Sequence, residues 1–410
     1  MKCHSSFMDH NTSQIFQTNK PTRWKSVKWT TRVLAMIAIF FFVVLGIALY
    51  SGSLPNLPNM QAKAKEYETT LDPTNPLTLK NTQNTKYKGF KDFLLKKERA
   101  DSLKKARNGS ASKANSLSVI RAAFYTPWTA NTSLPDLQKN ADKLNTIFPE
   151  WFFIDSVTYA LQTRIDNAGL ALMKLKQLRI LPMLSNFKSV ASGFDGKLLH
   201  KILNDSILQN RLIQQVSDTL SYYQLSGINI DFEELEETTN EPLTVFQKKL
   251  YETLHRKNML VTMDVEPKNN DYDYTKLSEY NDYIIVMAYD QSNNSTGPGP
   301  ISAQKWIEDA VAWTAERISP SKIILGVGGF GYDWANTKYK QTYTYNDAIN
   351  KAKELNAKII YDNDSYNLHF SYASEEEDST TRHEVWFTDA ATTFNILRFS
   401  DEFATAGTAL

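Results

Sequence analysis

The nine residues Ser226-Gly-Ile-Asn-Ile-Asp-Phe-Glu-Glu234 constrain this chain more than any other stretch. Ile228, Ile230 and Phe232 alternate with Asn229, Asp231 and Glu233, so a strand sends the two sets to opposite faces. In a barrel of parallel strands the apolar set packs under the surrounding helices and the polar set points to the barrel axis. Burying a carboxylate without partners costs several kcal/mol, so two acids and an amide on one inner face require a function. The competing reading is a half-exposed strand with a polar outer face. By the same alternation Glu234 takes the face opposite Glu233.

Further strands are expected at 119–128, 151–155, 179–187, 227–235, 260–267, 283–290 and 322–330, with a fragment at 407–410. Helical patterns separate them, for example Ile202–Tyr223 and Ala303–Arg317. Repeated strand–helix alternation implies a parallel sheet. Eight units over this span fit an α/β fold of the (β/α)8 TIM-barrel type, whose site lies at the C-terminal strand ends. The stretch from about 332 to 381 is too long for an ordinary connection. It reads as a small α+β insertion after strand 7. Strand 8 is cut short where the sequence stops at Leu410, which suggests a fragment or an incomplete barrel.

The run Val33–Tyr50 is uninterrupted and apolar, long enough to cross a bilayer as a helix. Lys20, Arg23, Lys25, Lys28 and Arg32 precede it, and the next charge after it is Lys63. That asymmetry predicts a single-pass cell-membrane protein with residues 1–32 as a cytoplasmic basic tail and the barrel outside. A cleaved signal peptide is the rival reading. Residues 51–118 read as a turn-rich, lysine-rich linker to a barrel over 119–410. Lysine plus arginine (46) nearly balances aspartate plus glutamate (45), which argues against nucleic acid as a partner. The single cysteine, Cys3, excludes intrachain disulfides and cysteine zinc clusters. The six histidines show no metal-ligand spacing, so no metal is expected. Gly326-Val-Gly-Gly-Phe-Gly331 has the form of a dinucleotide fingerprint, but no helix start follows it.

The central stretch resembles the fourth-strand signature of glycoside hydrolase family 18, the chitinase-like enzymes, which reads Asp-Gly-x-Asp-x-Asp-x-Glu. Asp231 and Glu233 match its last two acids, while Ser226 and Asn229 replace the first two. Met287-Ala288-Tyr289-Asp290 resembles the family's Met-x-Tyr-Asp at the end of strand six, with Ile285 where a glutamine stands. Phe124-Tyr125 with Trp128, and Trp386 in His383-Glu-Val-Trp-Phe-Thr-Asp389, resemble family aromatics beside the sugar. The family's eighth-strand tryptophan has no counterpart before Leu410. Several segments are similar to bacterial membrane-tethered proteins that couple this barrel to polysaccharide deacetylase and glycosyltransferase domains.

The resemblance implies hydrolysis of β-linked N-acetylglucosamine polymers, such as chitin-like chains, peptidoglycan glycans or an exopolysaccharide. The substrate's own acetamido oxygen would attack the anomeric carbon, with retention of configuration. Glu233 would then be the proton donor and later base, Asp231 would orient the acetamido nitrogen, and the Tyr289 hydroxyl would hold its oxygen. Asn229 would support Asp231, and Asp290, Met287, Tyr125, Trp128 and Trp386 would line the substrate site. No cofactor is required. The alternative is a weakly active or inactive glycan-binding module of a membrane polysaccharide assembly complex.

Overall fold

A computed structural model describes residues 28–37 and 119–410, the latter with short gaps at 128–129, 190–191, 236–240, 294–295, 337 and 377–378. Residues 28–37 fall in a different unit from 119–410 and form a mostly exposed helical segment. Of the expected membrane run, 38–50 lies outside the described residues, as do the linker 51–118 and Trp128. Among the described residues no helix is long and apolar enough to cross a membrane.

Among the described residues eighteen strands follow in chain order. β1 (Ile120–Tyr125), β2 (Thr146–Pro149), β3 (Phe152–Ile154), β4 (Leu161–Thr163), β5 (Arg179–Ile180) and β6 (Met183–Ser185) come first. A two-stranded ribbon, β7 (Phe187–Ser189) with β8 (Gly193–Phe194), precedes β9 (Gly227–Asp231), β10 (Leu260–Val265), β11 (Tyr283–Met287) and β12 (Ile323–Gly326). The later strands are β13 (Phe330–Ala335), β14 (Lys338–Thr344), β15 (Ile360–Tyr361), β16 (Leu368–Glu376), β17 (Ser379–Phe387) and β18 (Gly407–Ala409).

Parallel pairings run β1–β2, β2–β5, β3–β6, β6–β9, β9–β10, β10–β11 and β11–β12, then β12–β18 and β18–β1. Here β2 and β3 are two pieces of one barrel strand, interrupted at Glu150 and Trp151, and β5 and β6 are pieces of the next. The ring therefore returns on itself. The expectation of an open eighth strand is corrected: β18 is short, yet it pairs with both neighbours, and Leu410 donates its N–H to Ala122 at 3.1 Å.

Sequence chemistry sets where the helices begin. Asp166, Asp195, Asp205, Asp273 and Asp389 each accept a first-turn backbone N–H as helix N-caps. Asp205 divides the helical pattern expected over 202–223 into helices Gly196–Leu203 and Ser206–Tyr223. Leu212, Val216, Leu220, Phe246 and Leu250 pack from these helices and from helix Glu241–His255 onto Ile228, Ile230 and Phe232, the outward face of β9. The barrel interior has an apolar floor that includes Ile120, Ala122, Leu181, Tyr283, Ile285 and Ile324. Ile285, standing where the family carries glutamine, belongs to that floor.

The insertion is wider than the sequence pattern suggested. A five-stranded antiparallel sheet, in the order β14-β13-β17-β16-β15, runs from Phe330 to Phe387, with helix Tyr345–Glu354 packed on one face. Because β12 leads into β13 rather than a helix, the glycine run 326–331 carries no dinucleotide turn.

Gly227 shows why the signature needs a glycine. Its φ is +159°, and a Cβ there would sit 2.1 Å from the Leu260 carbonyl oxygen on β10. Gly227→Ala should therefore force β9 and β10 apart and cost about 1–3 kcal/mol or more. Chemical denaturation checks this; an unchanged midpoint would contradict the register of these two strands.

Candidate active site

The C-terminal ends of the barrel strands open on a cavity of about 910 Å³. Asp231, Glu233, Met287, Tyr289 and Asp290 line it together. Aromatic wall is supplied by Phe124 of β1, Phe194 of β8, Trp306 of helix Gln304–Ala315 and Phe330 of β13. Sugars pack on such rings through their apolar C–H faces.

Regular strand ends at Asp231, and the backbone beyond it is held by side chains. Asn186 clamps Glu233 from both sides: its Nδ2 donates to the Glu233 carbonyl at 2.9 Å, and its Oδ1 accepts the Glu233 N–H at 3.0 Å. The Tyr272 hydroxyl donates to the Phe232 carbonyl at 2.9 Å. Glu234 then turns into the left-handed region with φ +51°. Strand alternation consequently lapses, and Glu234 lines the same cavity as Glu233. Placing it on the opposite face is corrected for that reason.

Beneath the cavity the polar residues form a ladder. The Thr262 hydroxyl donates to Asn229 Oδ1 at 2.7 Å, and Asn229 Nδ2 donates to Asp264 Oδ2 at 2.5 Å. Asn229 thus sits below the wall and serves Asp264; the expectation that it supports Asp231 is corrected. Asp231 instead has Ser185 of β6 and Glu233 as the neighbours that hold its carboxyl down. Ser226, at the opposite end of β9, accepts the Ile180 N–H at 3.1 Å and takes no part in the acid cluster.

Like charges crowd this site, and burial decides their protonation. Burial pushes Asp231 up to about 6, a rise limited by hydrogen bonds from Ser185 and Glu233. Glu233 is driven well above the usual carboxylate range, first by burial and then by the Asp231 charge. Asp264 is raised in the same way, by burial and then Asp231. Glu150 is pushed up to about 8 by burial and Asp231. Of the two, Glu233 is therefore the one pushed further toward its protonated form and Asp231 the one that ionises more readily, the divergence that lets two neighbouring carboxyls take different roles. Tyr289 is also raised, by burial and then Asp264, and holds its phenolic proton. Asp290, in the left-handed region at φ +58°, accepts from the Tyr332 hydroxyl at 2.6 Å.

Two expected aromatics lie elsewhere. Tyr125 points outward from β1, edge-on to Trp151 at 6.5 Å, with its hydroxyl bonded to Asp166. The period of the strand puts Phe124, not Tyr125, on the wall. Trp386 stacks on His369 at 4.3 Å and donates its Nε1–H to Glu384 at 2.7 Å, on the insertion sheet rather than the wall. Residues missed in the sequence are Glu150, Ser185, Asn186, Asp264 and Glu266. Asp264 and Glu266 were legible as alternating acids in Leu-Val-Thr-Met-Asp-Val-Glu; Glu150 fell just before a strand taken to begin at Trp151.

The sequence model of glycosyl hydrolases family 18 matches residues 120–396. The chain belongs to that family. It is a glycosidase, with the acid pair of the family signature inside the barrel mouth. It is 26% identical over 246 residues to YvbX, an uncharacterized glycosylase of Bacillus subtilis, covering 57% of this chain and 70% of the relative. A cortical fragment-lytic enzyme of Bacillus subtilis is 25% identical over 236 residues, covering 53% of this chain and 54% of that protein. The chain thus spans about half the length of that second relative. The crystal structure of a chitinase from Chromobacterium violaceum superposes with a TM-score of 0.64 at 22% identity, covering 72% of this chain and 93% of that one, and shows the shared fold.

Glu150 makes a pH test possible. Its unfolded value is about 4.3, and its folded value is about 8. Between these, the folded chain holds a proton that the unfolded chain has lost, so stability is greatest below the window and falls as pH rises through it. The melting temperature should drop from about pH 5 to about pH 8. Glu150→Gln should raise it at the upper end and leave the lower end nearly unchanged. A gain from the substitution that is equal at both ends would contradict the burial of an ionisable group here.

Proposed function

We propose that this glycosidase hydrolyses β-linked N-acetylglucosamine glycans by a retaining, substrate-assisted reaction. The observation that carries the reading is the pairing of Asp231 and Glu233, two residues apart at one strand end inside the cavity, with Glu233 the acid pushed further toward its protonated form. A retaining enzyme with a protein nucleophile needs two carboxylates flanking the scissile bond about 5 Å apart. Two acids two residues apart at one strand end lie on the same side of a bound sugar. The nucleophile must then come from elsewhere, and the acetamido oxygen at C2 of the substrate can reach C1.

In this mechanism Glu233 donates its proton to the leaving glycosidic oxygen. As the acetamido oxygen closes on C1, positive charge develops on the ring that forms. Asp231 accepts the acetamido N–H and, as the ionised partner, stabilises that charge. Tyr289 keeps its hydroxyl proton and can donate to the acetamido oxygen, fixing it for attack. Glu233, now a carboxylate, takes a proton from water as water opens the ring. The starting protonation state is restored. The names of a cortical fragment-lytic enzyme and a chitinase among the similar proteins agree with a glycan substrate of this kind.

Glu233→Gln keeps the size and hydrogen bonding of the side chain but removes the transferable proton. Turnover of N-acetylglucosamine oligomers should fall by about 10²–10⁴-fold while oligomer binding survives. An oligomer lacking its N-acetyl group at the cleavage position should resist the native chain. Unchanged turnover in Glu233→Gln refutes the assignment. Binding without turnover in the native chain would favour a glycan-binding module instead.

A further inference from the structure

The chain branches at Asn186, between β6 and β7. On the β6–β9 ladder the Asn229 N–H reaches the Pro182 carbonyl at 2.9 Å. Four residues on in both strands, from 182 to 186 and from 229 to 233, the same ladder would join the Glu233 N–H to the Asn186 carbonyl. It does not. The Ser185 hydroxyl accepts the Phe187 N–H at 3.1 Å and bends the chain out of line. The Asn186 carbonyl goes instead to the Asp195 N–H at 3.0 Å, where it closes the base of the β7–β8 ribbon.

The Asn186 side chain takes the place that its backbone has left. Its amide carries a donor group and an acceptor, as a peptide group does. Both meet Glu233: Oδ1 accepts the N–H at 3.0 Å and Nδ2 donates to the carbonyl at 2.9 Å. The reverse amide orientation would set donor against donor and acceptor against acceptor. Asn186 is only 2% exposed, so water does not stand in for these bonds. Among the described residues no other group bonds the Glu233 N–H or carbonyl, and a buried backbone group needs a partner.

Glu233 stands past the regular end of β9 at Asp231 and just before the left-handed turn at Glu234. No ladder fixes its backbone, so the direction of its side chain depends on this clamp. A general acid must lie within hydrogen-bond reach of the leaving oxygen, and a misplacement of about 1 Å can cost about 10²-fold in rate. Asn186 lines a separate cavity of about 120 Å³ rather than the catalytic one, so it acts on a substrate only through Glu233. The ribbon that begins at the same branch point brings Phe194 to the catalytic wall, edge-on to Phe187 at 5.4 Å.

We infer that Asn186 is the positioning residue of the general acid: its side-chain amide extends the β6–β9 ladder past its end and aims the Glu233 carboxyl at the leaving glycosidic oxygen. This rests on the proposed hydrolysis with Glu233 as proton donor. The role is specific to proton delivery. A sugar alcohol leaves only with a proton, whereas a nitrophenolate leaves with little help. Loss of the clamp therefore slows the first kind of substrate and largely spares the second. A purely structural role for Asn186 would slow both alike.

The test compares two substrates with the same glycone in the full chain: an N-acetylglucosamine oligomer and the matching 4-nitrophenyl glycoside. The readout is kcat/KM, which reports cleavage of the glycosidic bond rather than the later opening of the ring. Asn186→Ala should lower it by about 10–10²-fold on the oligomer and by less than about threefold on the nitrophenyl glycoside. Asn186→Gln keeps donor and acceptor on a longer arm and serves where alanine fails to fold; it should show the same discrimination at smaller size. Glu233→Gln supplies the reference pattern for a lost proton. An equal fall on both substrates, or no fall on either, overturns the inference, and discrimination by Glu233→Gln in that case keeps the proton donor. Absence of turnover of both substrates by the native chain overturns the proposed hydrolysis itself and the positioning role with it.

Discussion

The contact between Asp231 and Glu233 is the interaction on which the rest of this site depends. Two carboxyls in contact, out of water, cannot both ionise cheaply, so one holds a proton at a pH where an exposed carboxyl would have lost it. That retained proton is what a general acid needs. The surroundings enforce the crowding: Ser185 neighbours Asp231, Asn186 clamps the Glu233 backbone, and the Asn229–Asp264 ladder fills the space beneath. The acid beneath the pair comes from β10, the neighbour of the signature strand. Asn229 carries no charge of its own but holds Asp264, whose other oxygen, Oδ1, is buried without a partner.

The insertion sheet completes the mouth of the barrel. On the face toward the cavity, β13 delivers Phe330 to the wall and the Tyr332 hydroxyl to Asp290. On the opposite face Asp333 and His383 are fully buried and meet at 2.9 Å, and His383 also lies 3.0 Å from the Ser374 hydroxyl. Tyr372 donates to Asp333 at 2.7 Å and stacks on the imidazole. The order Ser, His, Asp has the outline of a hydrolytic triad. Here the ring is sealed under Tyr372, and the network ties β13, β16 and β17 together. A rigid β13 fixes Tyr332, and through it the rim carboxyl.

Much of the barrel could be read from period and spacing. The alternation around Asp231 put Ile228, Ile230 and Phe232 outward and the acids inward, as found. Failures came where the period stops. Glu234 follows the last regular residue of β9, and a single left-handed turn brings it back to the cavity. Glu150 sits in the interruption of a barrel strand, where no alternation rule applies. Tyr125 was misplaced for the converse reason: β1 stays regular to its end, so Phe124 and Tyr125 face opposite ways. The Asn229–Asp264 contact joins residues 35 positions apart. It depends on the register of β9 against β10, which one sequence does not specify. The last strand was legible at 407–410, but its pairing with both β1 and β12 was not, because a three-residue strand gives no pattern from which register can be read.

The central claim is that a glycan's acetamido group, activated by Asp231 and Glu233, performs the first displacement. Proton nuclear magnetic resonance of the anomeric region during the first turnovers reads this directly, before the products mutarotate. Hydrolysis of a β-linked N-acetylglucosamine oligomer should release the β-anomer first, because two displacements at C1 restore the starting configuration. Initial release of the α-anomer would mean direct attack by water, and would contradict the account.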